Sequence, residues 1–196
     1  MTKRHGVAIA LMLCSAVSVA AGKPPTAAKS TGPTLEFTME YIQDKLISRG
    51  VLTYTVALQD SATGKDWSYE FTDKMSGTYA NPATCQIGYH WKQTRSGAAV
   101  TDKETYLDLA GGATADVLNM DQYLTESAKS KHDTWSAKVA PGLFVVHVTK
   151  PDGHDGNFVF ADEDTATHFA KALMHAADLC AKAQAAATPA ADKEPF

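Results

Sequence analysis

The most polar knot in the chain is KPDGHDGN over Lys150–Asn157, where Asp152, His154 and Asp155 stand close together. A carboxylate–imidazole cluster of this kind can bind a metal ion or move a proton. An exported hydrolase could therefore run on His154 with Asp152 or Asp155. The same residues also meet the backbone needs of a hairpin tip. Pro, Asp, Gly and Asn are turn formers, and the segment joins two strand-like runs, Leu143–Thr149 and Phe158–Phe160. The spacing departs from a calcium loop, because the third and fifth positions counted from Asp152 are His154 and Gly156. A turn is the expectation, with Asp152, His154 and Asp155 kept as candidate ligand-binding residues.

The other histidines are weaker candidates. His168 and His175 share a polar helix face but stand seven residues apart, about 10 Å along the axis. Two ligands of one metal are normally a single turn apart, so these are expected to be solvated, with His168 paired to Asp164 and His175 near Lys171. His147 opposes Phe144, Val146 and Val148, and His90 opposes Tyr89 and Trp91. His132-Asp133 falls in a segment without clear periodicity. There is no G-x-S-x-G elbow, H-E-x-x-H, C-x-x-C, phosphate-binding P-loop or G-x-G-x-x-G. No cofactor or metal is implied, and the reading leans away from an enzyme. The aromatic stripes Trp67/Tyr69/Phe71 and Tyr89/Trp91 either fill a core or line an apolar pocket. Trp67, Tyr69, Tyr89 and Trp91 are the candidate pocket residues.

Periodicity indicates the elements that must position these groups. Thr34 is a helix N-cap, and Leu35, Met39, Ile42 and Leu46 make one apolar stripe ending at Gly50. In Val51–Leu58, Leu52, Tyr54, Val56 and Leu58 alternate with Thr53, Thr55 and Ala57, the period of a half-buried strand. Trp67–Thr72 alternates likewise, and Cys85, Ile87, Tyr89 and Trp91 share a face. Val100–Leu109, with Leu107 and Leu109 inward, and Ala115–Met120 are weaker strands. Tyr123–Ala137 is ambiguous, with room for one more. The final helix places Ala166, Phe169, Ala170, Leu173, Ala177 and Cys180 on one face, and Asp164, His168, Lys171, His175 and Lys182 on the other.

The chain of 196 residues has net charge −4, 44% hydrophobic residues and three cysteines. It is not basic, so it has no electrostatic footprint for nucleic acid. Lys3, Arg4 and His5 precede an apolar run from Val7 to Val19 and a small-residue exit, the parts of a secretory signal over residues 1–21. The run is too short to span a membrane. Its removal would take Lys3 and Arg4 from the 18 bases, against 22 acids, so −4 becomes −6. Cys14 would leave with it. The remaining pair, Cys85 and Cys180, points to the core faces of a strand and a helix in an oxidising compartment, and a Cys85–Cys180 disulfide is predicted. Residues 22–33 read as a linker, 34–183 as a single domain and 184–196 as an Ala/Pro-rich disordered tail. None of Asn81, Asn119 and Asn157 begins a glycosylation sequon, which fits a bacterial periplasm or its exterior.

The order of about six to seven antiparallel strands from Val51, closed by the helix bearing Phe169 and Leu173, resembles the pleckstrin-homology-like barrel. The helix Leu35–Leu46 would be an addition to it. The resemblance implies a protein- or ligand-binding habit. Its lipid-binding members use a basic first hairpin, whereas Gln59–Asp66 here carries one lysine, Lys65, between acids. The expected fold is α+β: an antiparallel sheet or partly closed barrel, with an N-terminal helix and a long C-terminal amphipathic helix packed on it. The expected function is an exported, non-catalytic domain binding a protein partner or a small apolar ligand. A hydrolase and a structural cell-envelope protein are the alternatives.

Overall fold

The computed structural model describes residues 32–153 and 155–187. The expected export signal, most of the linker, His154 and the chain end from residue 188 lie outside them. The element order is α1 (Leu35–Ser48), β1 (Val51–Asp60), β2 (Asp66–Asn81), β3 (Gln86–Arg95), β4 (Ala98–Asp108), β5 (Thr114–Asn119), α2 (Met120–Ser130), β6 (Trp135–Ala140), β7 (Phe144–Thr149), β8 (Asp155–Phe160) and α3 (Glu163–Ala187). The fold is α+β, with N-terminal and long C-terminal helices as expected. Among the described residues eight strands form two antiparallel sheets rather than a closed barrel. The larger has the order β4-β3-β2-β1-β6 and the smaller β5-β7-β8.

Local chemistry explains most of these elements. Thr34 caps α1, its hydroxyl accepting from the Phe37 amide at 3.3 Å, and the stripe Met39, Ile42 and Leu46 is fully buried. In β1, Tyr54 and Val56 are buried while Thr53, Thr55 and Ala57 face out. The strand begun by Trp67 runs on to Asn81, because a bulge between Ser76 and Tyr79 adds one residue to β2. That extra residue reverses the alternation, so Met75 and Ala80 both reach the core although five positions apart. Gly77, at φ +59°, takes the left-handed conformation inside it. Opposite, Gly88 lies under the Tyr79 ring, where a Cβ would stand 2.2 Å from ring atoms.

The smaller sheet is covered on both sides. Val146, Val148, Phe158 and Phe160 join α1 and α3 in one core cluster. Val145 and Val159 join Tyr54, Val56, Met120, Val139 and Leu143 in the other. This is why Leu143–Thr149 reads as a nearly continuous apolar run. On α3 every residue of the expected inner face is buried. Cys85, one residue before β3, meets Cys180 in a disulfide with Cα atoms 5.9 Å apart, pinning α3 to the larger sheet.

The ambiguous stretch after Asn119 divides into α2 and then β6. The Asn119 side chain caps the helix by accepting from the Asp121 amide at 2.9 Å. Only Met120 and Ala128 are buried along it, so no apolar stripe announces a helix. Two residues on one face of α2 instead serve β6. Asp121 accepts from the Val139 amide at 2.6 Å, and Thr125 from the Ala137 amide at 3.1 Å. These are outward strand donors, so α2 closes one edge of the larger sheet. Among the described residues no helix is long and apolar enough to cross a membrane.

Candidate functional site

Antiparallel pairing places Tyr54 opposite Phe71, Val56 opposite Tyr69 and Leu58 opposite Trp67. Such partners project from the same side of a sheet. The inner face of the larger sheet is thus floored by aromatic and branched side chains. The Tyr54 and Phe71 rings stack with centroids 5.5 Å apart and planes 14° apart. Next in register, β3 adds Gln93 opposite Asp73 and Arg95 opposite Phe71. The Arg95 guanidinium lies over the Tyr69 ring, 4.9 Å from its centroid. Trp135, paired with Asp60, extends this floor onto β6, and from the far side α2 contributes Met120 and Leu124, one turn apart. Together these residues line a half-open cavity of about 310 Å³. Tyr69, Phe71, Leu124 and Trp135 are only half-buried.

Behind the cavity lies a buried polar network. Arg49, at the end of α1, pairs through Nη2 with Asp73 on β2, their side chains 1% and 3% exposed. Arg49 Nε donates to the Val159 carbonyl at 2.5 Å, and Nη1 has no partner among the described residues. The other Asp73 oxygen accepts from Trp91 Nε1 at 3.2 Å and Gln93 Nε2 at 3.3 Å. Gln93 also reaches the Tyr54 hydroxyl at 3.4 Å. Burial, then the Asp73 charge, holds the Tyr54 phenol far above the ordinary tyrosine range. Burial pushes Tyr89 up to about 12. Both phenols stay protonated and can donate hydrogen bonds but not act as bases. The cavity lining offers no carboxylate, thiol or imidazole. Apolar walls with a few polar groups at the ends are the makings of a binding pocket.

The four candidate aromatics all project from this inner face, but the structure distributes them. Tyr69 lines the cavity. Trp67 borders a shallower depression with Leu58, Ala137 and Lys138. Trp91 serves Asp73, with Lys103 over its ring at 5.9 Å. Tyr89 packs on Phe158 and lines a separate cleft of about 430 Å³ between β4 and the β7–β8 hairpin. Asp152 and Asp155 border that cleft too, with Glu104, Asp108 and Lys150. The hairpin tip is a turn, its Gly153 amide donating to the Lys150 carbonyl at 3.0 Å. Asp152 pairs with Lys150 at 2.8 Å, and Asp155 already sits in the ladder opposite Thr149. His154, the third member of the knot, is outside the described residues.

His90 pairs with Asp102 at 2.8 Å, and His147 meets Asn157 at 2.8 Å. His168 donates to the Asp164 carbonyl at 2.9 Å, whereas His175 reaches back to Pro33 at 3.0 Å. Among the described residues no three His, Cys, Asp or Glu side chains are grouped to hold a metal.

Sequence reasoning passed over Arg49, Asp73, Gln93, Arg95 and Trp135. One signal was available: Asp73 continues the period-two face of Trp67, Tyr69 and Phe71, and a carboxylate there needs a buried partner. No protein family, curated protein or solved structure matches the chain.

Proposed function

We propose that the protein is an exported binding domain that holds a small apolar ligand on the inner face of its larger sheet. One observation carries this reading: five elements, β1, β2, β3, α2 and β6, converge on a cavity of about 310 Å³ with aromatic and aliphatic walls. The expected export signal, the disulfide and the lack of a membrane-crossing helix among the described residues support a periplasmic or extracellular setting. Calorimetric titration with the neutral single-ring ligand ethylbenzene tests it. Saturable one-to-one binding is expected, and Leu124→Trp, which fills the cavity, should abolish it. Absence of saturable binding in the unmodified protein would refute the reading. The alternatives predict other outcomes: turnover lost on His154→Ala for a hydrolase, or self-association without ligand for a structural envelope protein.

A further inference from the structure

We propose that the ligand of this cavity is a single-ring aromatic carboxylate, seated ring inward with its carboxylate at Arg95. The inference rests on the binding reading above and adds the ligand's class. Size is the first ground. At about 30 Å³ per water-sized group, 310 Å³ holds roughly ten such groups, the size of one substituted ring with an acid.

Shape is the second. Tyr54 and Phe71 lie within 14° of parallel, Tyr69 continues the same face of β2, and Trp135, paired with Asp60, extends that face onto β6. An aromatic floor favours a flat ring, which can stack offset on it.

Charge sets the class. Arg95 is exposed, lies over Tyr69 and has no carboxylate partner among the described residues. The neighbouring acids are committed elsewhere. Asp73 is held by Arg49, Trp91 and Gln93. Asp102 is held by His90 and Lys92. Asp60 accepts from Thr63, Thr134 and the Ala62 amide. Glu70, opposite Thr55, alternates to the other face. A planar guanidinium matches a carboxylate with two parallel hydrogen bonds.

The interior fixes the orientation. Tyr54 and Gln93 close the inner end, and Gln93 is bonded to the buried Asp73 carboxylate. A second carboxylate there would be repelled and stripped of water. At the mouth it keeps part of its hydration and gains Arg95.

Calorimetric titration with 4-methylbenzoate and its neutral isostere 4-methylbenzamide, at low ionic strength, tests the assignment. The carboxylate should bind about tenfold tighter than the amide. Arg95→Gln, a change at an exposed residue, should erase that ratio by weakening the carboxylate far more than the amide. Leu124→Trp should remove binding of both. Equal affinities in the unmodified protein overturn the carboxylate class while leaving the apolar cavity standing. A preference that survives Arg95→Gln, or binding that survives Leu124→Trp, overturns the placement. Failure of the two ring compounds together with neutral ethylbenzene overturns both readings.

Discussion

Neutralising Asp73 should be among the most destabilising single changes of a side chain's charge in this fold. Asp73→Asn keeps the shape of the side chain but leaves the Arg49 guanidinium, 1% exposed, without a counter-charge, and its single amide oxygen cannot serve both Arg49 and the Trp91–Gln93 donors. Arginine cannot shed its proton at any pH the fold survives, so the charge stays. Breaking a buried pair from one side costs about 3–5 kcal/mol. A domain of this size is stable by roughly 5–15 kcal/mol in total, so the variant keeps a small margin. Urea unfolding followed by tryptophan fluorescence should show the midpoint falling by roughly 2 M at a slope of about 2 kcal/mol/M, with the slope unchanged. The double variant Arg49→Met/Asp73→Leu removes both charges. It should recover much of the loss, short of about 1 kcal/mol for Trp91 left without its acceptor. The reasoning fails if Asp73→Asn costs less than about 1 kcal/mol, or if the double variant is no more stable than the single one.

Two further outcomes follow from features outside the cavity. The disulfide closes a sequence separation of 95 residues, so Cys180→Ala should lose about 4–5 kcal/mol in the chain-entropy model, read by denaturant unfolding without reductant; a loss near zero would mean the pair contributes no cross-link. Hydroxyl donation from Thr63, then Thr134 and the Ala62 amide, holds the Asp60 carboxyl down to about 2. A depressed folded value stabilises above the unfolded value of about 3.9 and is lost as pH falls toward about 2. Asp60→Asn should therefore lower Tm at neutral pH, and the gap from the unmodified protein should close by about pH 2; a gap independent of pH contradicts the assigned cause.

Much of the frame was legible because its signals are local. The Thr34 cap, the stripes of α1 and α3 and the alternation of β1 need only neighbours in sequence. The disulfide followed from combining two such patterns, Cys85 on a strand's inward face and Cys180 on a helix's. What escaped depends on distant register. Arg49 sits in Ser-Arg-Gly at a helix end, and nothing nearby says that Asp73, 24 residues on, will face it. The bulge at Ser76–Tyr79 reverses the face of β2 with only Gly77 to mark it. In α2 the support comes from a capping asparagine and from bonds to β6, so a search for apolar periodicity finds little. The cavity itself is a matter of unfilled volume between correctly patterned elements. The aromatic stripes were visible, but not that Tyr69 would border open space while Trp91 turned toward a buried carboxylate.

The way α2 is fastened governs how anything could reach that space. Met120 and Leu124 form its wall, while Asp121 and Thr125, each one position further along the helix, grip the amides of Val139 and Ala137. Lys138 adds an ion pair to Asp121 at 2.8 Å. Lifting the helix as a flap would break all three contacts at once and expose a strand edge. The wall therefore behaves as a fixed jamb rather than a door, and traffic is left to the open rim on which Arg95 stands. Exchange of a bound molecule should then be governed by fast side-chain motions at that entrance, on the nanosecond scale, instead of by slow opening of the fold.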